Sequence, residues 1–389
     1  MAGLIVRPRA GILHGHDWVY GNEVLKIFGA PADGDVISVK DGRDRLLGSA
    51  IYNSKSKIVA RRISRHRQDL DADFFRRRIA QAAEVRDRRG CRRDLRRVVW
   101  SESDGIPGVI ADQYGDTAVL QTLTFAMDRH KADIAAALAE TLGLRGVIER
   151  NDAPVRASEG LTPETGILWG EPQSAQTAEI DGVTFELDLL GGQKTGFYLD
   201  QVANYAAVAR HASGRRVLDC YANQGGFALA CAKAGAASVV AVESGQESHA
   251  RLAANVARNG LDVRCERADV AEYLRRAERA GEKFDLIILD PPSFTKTRGK
   301  VHDAMRGYRD LHVRAGALLE PGGLLATFSC SHHIDAASFL GEAAAGLQDA
   351  RRSARLIDEY RQSPDHPIVV HLPETFYLKG FLLEMMPGR

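Results

Sequence analysis

Four carboxylates at nearly even spacing constrain this chain more than any other feature. Asp219, Glu243, Asp269 and Asp290 follow one another at intervals of 24, 26 and 21 residues, about one β–α repeat each. Each falls at or just after the carboxyl end of a successive predicted strand: "RRVLD", "SVVAVE", "VRCERAD" and "FDLIILD". Helical stretches are expected between and after them, over residues 227–234, 247–259, 270–280 and 305–319. Strand alternating with helix predicts a doubly wound, mostly parallel α/β sheet from about residue 191 onward. "GLLATFSCS" extends it, and "HPIVVHL" and "FLLEM" read as a closing pair, the last strand antiparallel. Open α/β sheets bind ligands at the carboxyl ends of their strands, which is where the four acids stand.

Their chemistry narrows the ligand. "VLDCYANQGGF" is a strand, an acid, a glycine-containing turn and a helix start, with Asp219, Asn223, Gly225, Gly226 and Phe227 as candidate contacts. Glycine lets a backbone approach a ligand, and the first helical turn offers free amides. Glu243 is suited to the two hydroxyls of a ribose, Asp269 to an adenine amino group, and Asp219 to a passing sulfonium or amine. A pyrophosphate would be met by a GxGxxG turn with few carboxylates, whereas this turn is led by an acid. The pattern favours a cationic, phosphate-free cofactor, S-adenosyl-L-methionine. The glycine-flanked stretch "GGQKTGFYLDQ" reads as a loop over that cofactor, with Phe197 and Gln201 as contacts and Lys194 toward the substrate.

"LDPPSF" closes the fourth strand. Pro291 and Pro292 remove amide donors and fix the backbone, so a flat base can lie against Phe294 with its polar edge at Asp290. This implies a planar nitrogenous substrate and leaves the target atom open. Cys330, in "TFSCSHH", closes the next strand and can face the same crevice. Carbon 5 of cytosine is a poor nucleophile. Thiolate attack at carbon 6 activates it, splitting one hard step into two easier ones, with Asp290 bonded to the ring nitrogen or amine. Amine or ring-nitrogen methylation needs no thiol. By position alone Cys330 is equally well a buried structural thiol. If it is a nucleophile, something must lower its pKa, with His332 and His333 the nearest candidates.

The first half reads differently. Residues 1–68 hold short strands separated by Gly/Asp turns, a small β module; 74–190 read as an α+β connector with a helix over residues 74–97; 191–389 carry the α/β sheet. Residues 1–100 contain twenty-two Lys and Arg against twelve Asp and Glu, a net +10. With +1 over the whole chain, the remainder carries −9. A basic front on an acidic body implies a polyanion met mainly through the N-terminal part. Five scattered cysteines without a CxxC pair suggest neither disulfides nor a metal site. No apolar run is long enough to span a bilayer, "MAGLIVRPRAG" lacks a secretory core, and a cytoplasmic location is expected.

The order of Asp219, "GGF", Glu243, Asp269 and "DPPSF" resembles class I S-adenosylmethionine-dependent methyltransferases. "GGQKTGFYLDQ", "FDLIILDPPSF", "TFSCSHH" and "DHPIVVHLPETFYLKGF" are similar, in that order, to motifs of the RlmI-like large-subunit (23S) ribosomal RNA cytosine-C5 methyltransferases. "RPRAGILHGHDWVYGNEV" looks like the opening of that group's RNA-binding PUA module. The resemblance implies a Rossmann-like catalytic domain behind a PUA-like domain and a connector, Cys330 as covalent nucleophile, 23S ribosomal RNA as partner, and a homodimer. Val202, Ala203 and Asn204 depart from it, since the group often has basic residues after "LDQ". Two other readings stay open: methylation of a purine amine or ring nitrogen, and a non-catalytic RNA-binding assembly factor.

Overall fold

The computed structural model describes residues 2–192, 195–295 and 298–387, and it divides into two compact units. The first comprises Met1–Gln176, Leu187–Leu199 and Pro364–Thr375; the second comprises Thr177–Glu186, Asp200–Ser363 and Phe376–Arg389.

In the first unit, β1 (Gly3–Val6), β2 (Trp18–Tyr20), β3 (Val24–Phe28), β4 (Val36–Lys40), β5 (Leu46–Tyr52) and β6 (Ile58–Ser64) form a six-stranded sheet ordered β2-β6-β5-β4-β1-β3. Leu4, Val6, Val19, Ile37, Val39 and Ala60 make its core. Helix α1 (Ala72–Arg88) starts on Asp71, whose carboxylate accepts from Phe74 N. It buries Phe74, Phe75, Ile79 and Ala82 against a second sheet of β7 (Leu95–Trp100), β8 (Val109–Tyr114), β9 (Thr117–Thr122), β10 (Gly146–Asn151) and β11 (Glu164–Gly170), in the order β11-β10-β9-β8-β7. Two helices, α2 (Phe125–Arg129) and α3 (Lys131–Leu142), connect β9 to β10.

The helix expected over residues 74–97 is therefore a helix and a strand. Gly90, with φ +69°, stands between them, and "LRRVVW" is fully extended despite its two arginines. Arg96 and Arg97 are buried because each meets an acid: Arg96 pairs with Asp87 at 2.6 Å and Arg97 with Asp112 at 2.8 Å. Intramolecular pairing makes burial of such charges possible, and binary patterning cannot register it.

A hairpin, β12 (Ala175–Ile180) and β13 (Val183–Asp188), is shared between the two segment sets. The second unit then runs α4 (Val202–Ala209), β14 (Arg216–Cys220), α5 (Gly226–Lys233), β15 (Ser238–Glu243), α6 (Gln246–Asn259), β16 (Arg264–Arg267), α7 (Val270–Arg279), β17 (Phe284–Leu289), α8 (Val301–Leu318), β18 (Leu319–Ser329), α9 (Ala336–Asp349), β19 (Ala354–Arg361) and β20 (Lys379–Met385). Its seven strands are ordered β16-β15-β14-β17-β18-β20-β19, all parallel except β20, which is antiparallel to both neighbours. This is the doubly wound sheet expected from the acid spacing, with its antiparallel final strand. The order reverses at β14/β17, so the topological switch point lies between Asp219 and Asp290.

One strand assignment is corrected. "HPIVVHL" is not a sheet strand: it makes only the isolated bridge Val369–Leu372 and groups with the first unit. Its Pro367 has no amide to donate to a ladder, and His366 is buried beside Trp100 at 5.7 Å between ring centres. The partner of β20 is β19, "ARLIDEYR", an edge strand whose Leu356 and Ile357 are exposed and whose apolar alternation is correspondingly weak.

Candidate active site

Three of the four acids converge at the switch point. Asp219 ends β14 almost fully buried, and its Oδ2 accepts from Ala228 N at 2.9 Å in the first turn of α5. Its other oxygen has no hydrogen-bond partner among the described residues. Burial first, then the charges of Asp290 and Glu243, push its carboxyl well above the usual carboxylate range. A concentration of negative charge around an unpartnered buried oxygen suits a cation, and a sulfonium or ammonium group placed there would relieve it.

Glu243 is held by two backbone amides: Oε2 accepts from Asn223 N at 2.9 Å and Oε1 from Gly245 N at 2.7 Å. The carboxylate is thereby oriented, and a carboxylate has acceptor capacity beyond these two bonds for a ribose diol. The turn after β14 is tightly wound, with Tyr221, Asn223 and Gly225 at φ +65°, +50° and +96°. Asn tolerates the left-handed region, which explains that residue type at Asn223.

The glycines turn out to serve the protein's own packing. A Cβ on Gly226 would lie 2.3 Å from the Tyr205 ring, and one on Gly225 would lie 2.2 Å from Leu229 Cδ1. Phe227 is likewise interior, its ring 4.8 Å from Tyr205 and 5.2 Å from Phe328. What this turn offers a ligand is backbone rather than the Phe227 face. Asp269 is exposed and caps α7, accepting from Glu272 N at 3.0 Å with one oxygen, which leaves the other for an adenine amine.

At the end of β17, Asp290 Oδ2 accepts from Gln201 Nε2 at 3.0 Å. Gln201 is buried, and its Oε1 accepts from Asn204 Nδ2 at 2.6 Å; Asn204 also donates to the Arg361 carbonyl at 3.1 Å. Because Asn204 can only donate here, Gln201 must turn its amide nitrogen toward Asp290. Asn204, which departs from the resembled motif, thus fixes Gln201. Pro291 is buried and Pro292 exposed. The Phe294 ring packs 4.7 Å from Tyr308 and approaches Gly307, where a Cβ would come within 3.2 Å of it. Phe197 is buried and groups with the first unit. Lys194 lies outside the described residues.

Cys330 is partly exposed, and both neighbours, Ser329 and Ser331, are fully buried. Tyr308 OH lies 2.9 Å from Ser329 Oγ and 3.1 Å from Ser331 Oγ, and Ser293 Oγ lies 3.1 Å from Ser331 Oγ. The "SCS" run is therefore a hydroxyl cluster that holds the backbone on both sides of the thiol. His332 and His333 are exposed, the former with its ring 5.6 Å from that of Tyr377. Tyr377 in turn donates to Asp200 at 2.8 Å. A buried cation stands at this place instead: Lys379 Nζ donates to the Ser331 carbonyl at 2.7 Å. By sequence, His366 and Lys379 read as phosphate contacts or surface residues, yet both are buried. The apolar residues around Lys379 in "YLKGF" are the signal that could have placed it inside.

No group of three His, Cys, Asp or Glu residues among those described could hold a metal ion, and no described helix is long and apolar enough to cross a membrane.

Comparison with known proteins agrees with this geometry. Residues 85–374 match the family model for S-adenosylmethionine-dependent methyltransferases, and residues 7–65 match a PUA-like domain. The curated Ribosomal RNA large subunit methyltransferase I of Erwinia tasmaniensis is 37% identical over 377 residues, covering 95% of each chain. Its counterpart in Aeromonas salmonicida is 37% identical over 387 residues, covering 98% of each. A solved chain from Streptococcus mutans superposes with a TM-score of 0.85 at 22% identity, covering 99% of this chain and 100% of that one. A second solved chain, complexed with SAH, gives 0.86 at 22% identity with the same coverage. With the acid-lined switch point and these relatives together, the chain belongs to the S-adenosylmethionine-dependent methyltransferase family, with a PUA-like domain at its N-terminal end.

Proposed function

We propose that this protein transfers a methyl group from S-adenosylmethionine to carbon 5 of a cytosine in large-subunit (23S) ribosomal RNA, through a covalent bond between Cys330 and carbon 6. The RNA substrate is supported by full-length relatives named for the large ribosomal subunit. The observation that carries the carbon target is the thiol of Cys330, held between two buried serines at the end of the strand beside Asp290.

The cofactor supplies an electrophilic methyl group when bound, with Asp219, Glu243 and Asp269 as its candidate partners and the Asn223–Phe227 turn beside them. The chain's own residues prepare the acceptor. Asp290, fixed by Gln201, bonds the polar edge of the base, and Pro291, Pro292 and Phe294 bound its plane. Attack by Cys330 Sγ at carbon 6 moves electron density to carbon 5, which takes the methyl; loss of the carbon 5 proton then lets the thiolate leave.

The N-terminal module is the proposed RNA grip. Exposed Arg7, Arg9, Lys26, Arg43, Arg65 and Arg67 make no ion pair among the described residues, and free cations of this kind favour phosphate contacts. Part of the basic excess has another role. Arg61 pairs with Glu102 at 2.7 Å and Arg62 with Asp17 at 2.6 Å, while Arg86 is fully buried against Asp104.

Cys330→Ala is expected to abolish methyl transfer to ribosomal RNA while cofactor affinity, measured by calorimetry, stays within about twofold of the parent protein. Full transfer by this variant overturns the covalent reading. Nucleoside mass spectrometry of RNA treated with enzyme and labelled cofactor is expected to show 5-methylcytidine. A methylated purine would establish the amine or ring-nitrogen alternative, and absence of cofactor affinity would establish a non-catalytic assembly factor.

A further inference from the structure

The covalent reading of Cys330, on which this inference rests, requires a destination for the thiol proton. Lys379 begins β20, where antiparallel pairing sets it opposite Ser329. Its Nζ donates to the carbonyl of Ser331, so Lys379 is tied through its backbone and its side chain to the residues on either side of Cys330. Only 4% of it is exposed. The Ser331 carbonyl is its one hydrogen-bond acceptor among the described residues, whereas an ammonium has three N–H groups to satisfy. A buried cation so poorly supplied is costly unless an anion is nearby.

The groups facing this place come from five elements. Asp335, whose charge also acts on Lys379, is the exposed cap of α9, with one oxygen accepting from Ser338 N at 2.7 Å. Tyr308 of α8 has its hydroxyl held by Ser329 and Ser331, and burial raises its pKa, so it stays neutral. The charge of Asp290, at the end of β17, also acts on Tyr308. Exposed His332 turns its ring toward Tyr377, which precedes β20. Lys379 is the buried cation of the group. Burial pushes its pKa down to about 8, against the pull of the Cys330 and Asp335 charges, so amine and ammonium are both accessible near neutral pH.

We propose that Lys379 is the proton acceptor and counter-ion of Cys330. The S–H bond breaks, its electron pair stays on sulfur, and the proton forms a new N–H bond at Nζ, leaving a thiolate beside an ammonium. When the thiolate departs from carbon 6, the same ammonium receives it.

The test reads the thiol directly, without RNA. Iodoacetamide alkylation of the Cys330 peptide, followed by mass spectrometry from pH 5 to 10, reports thiolate formation. Lys379→Gln can still donate to the Ser331 carbonyl but cannot take the proton. It is expected to slow alkylation at pH 7 by about tenfold and to raise the apparent thiol pKa by about one unit. Lys379→Arg, which keeps the counter-charge but cannot accept a proton, is expected to hold the apparent thiol pKa near the parent value. Unaltered cofactor affinity and thermal midpoint in both variants confirm an intact fold. An alkylation profile in Lys379→Gln that overlays the parent overturns the proposal. Failure of the covalent reading appears elsewhere, as methyl transfer by Cys330→Ala, so the two can fail separately.

Discussion

Asn204 shows how much a single side chain decides in this site. It donates to Gln201 Oε1 and the Arg361 carbonyl, and thereby dictates which end of the Gln201 amide faces Asp290. Asn204→Ala leaves Gln201 free to flip and its buried oxygen unpaired, at a cost of about 1–3 kcal/mol. Methyl transfer is expected to fall about tenfold, with cofactor affinity changed much less; urea unfolding and single-turnover assays measure the two effects. In the sequence this position stands out only as a departure from a motif. The bonds it makes join residues 201, 204 and 361, and no spacing rule relates those. Asp219 and Glu243 are legible because each closes an apolar run. Lys379 is legible only through the apolar residues around it in "YLKGF", since a lysine in a short strand ordinarily points to solvent.

At the scale of elements, the turn into α5 is built around close contact between α4 and α5. Gly226 has no Cβ because the Tyr205 ring occupies that space. Gly226→Ala is expected to destabilise the fold by about 1–3 kcal/mol through overpacking, seen as a lower urea midpoint with an unchanged slope. Adding Tyr205→Ala should recover part of that loss, because contacting residues are not additive. The glycine pair is readable as a mark of close approach, but the Tyr205 ring that approaches Gly226 is not, since it comes from α4. The misread strands have a related cause. Burial of β7 depends on acids distant in sequence, and β19 is an edge with few buried faces, so periodicity is misleading for one and faint for the other.

Across the whole second unit, stability is tied to pH through a buried histidine. His312 in α8 is fully buried, its Nε2 2.9 Å from Thr327 Oγ1, and burial pushes its pKa from 6.5 down to about 4. The unfolded chain therefore binds a proton between pH 6.5 and 4 that the folded protein refuses. Stability is full above pH 6.5 and falls as pH drops toward 4, by about 3 kcal/mol in all. Urea titrations at pH 7.5, 6, 5 and 4.5 are expected to show that decline, and His312→Gln to flatten it. A parent protein equally stable at pH 7.5 and 4.5 would contradict this account.

The sequence by itself determined the doubly wound sheet, because one apolar strand per repeat with an acid at its end has few other solutions. It also pointed to the strand ends at which Asp219, Glu243 and Asp290 converge. Only the tertiary structure decided which charges are buried and what each one meets. That choice set Arg96 and Arg97 inside a sheet, turned Arg61 and Arg62 inward, and brought Lys379 to the Ser331 carbonyl. The physical reason is that desolvating a charge is unfavourable unless a partner compensates it, and in a folded chain that partner is set by topology rather than by neighbourhood in sequence.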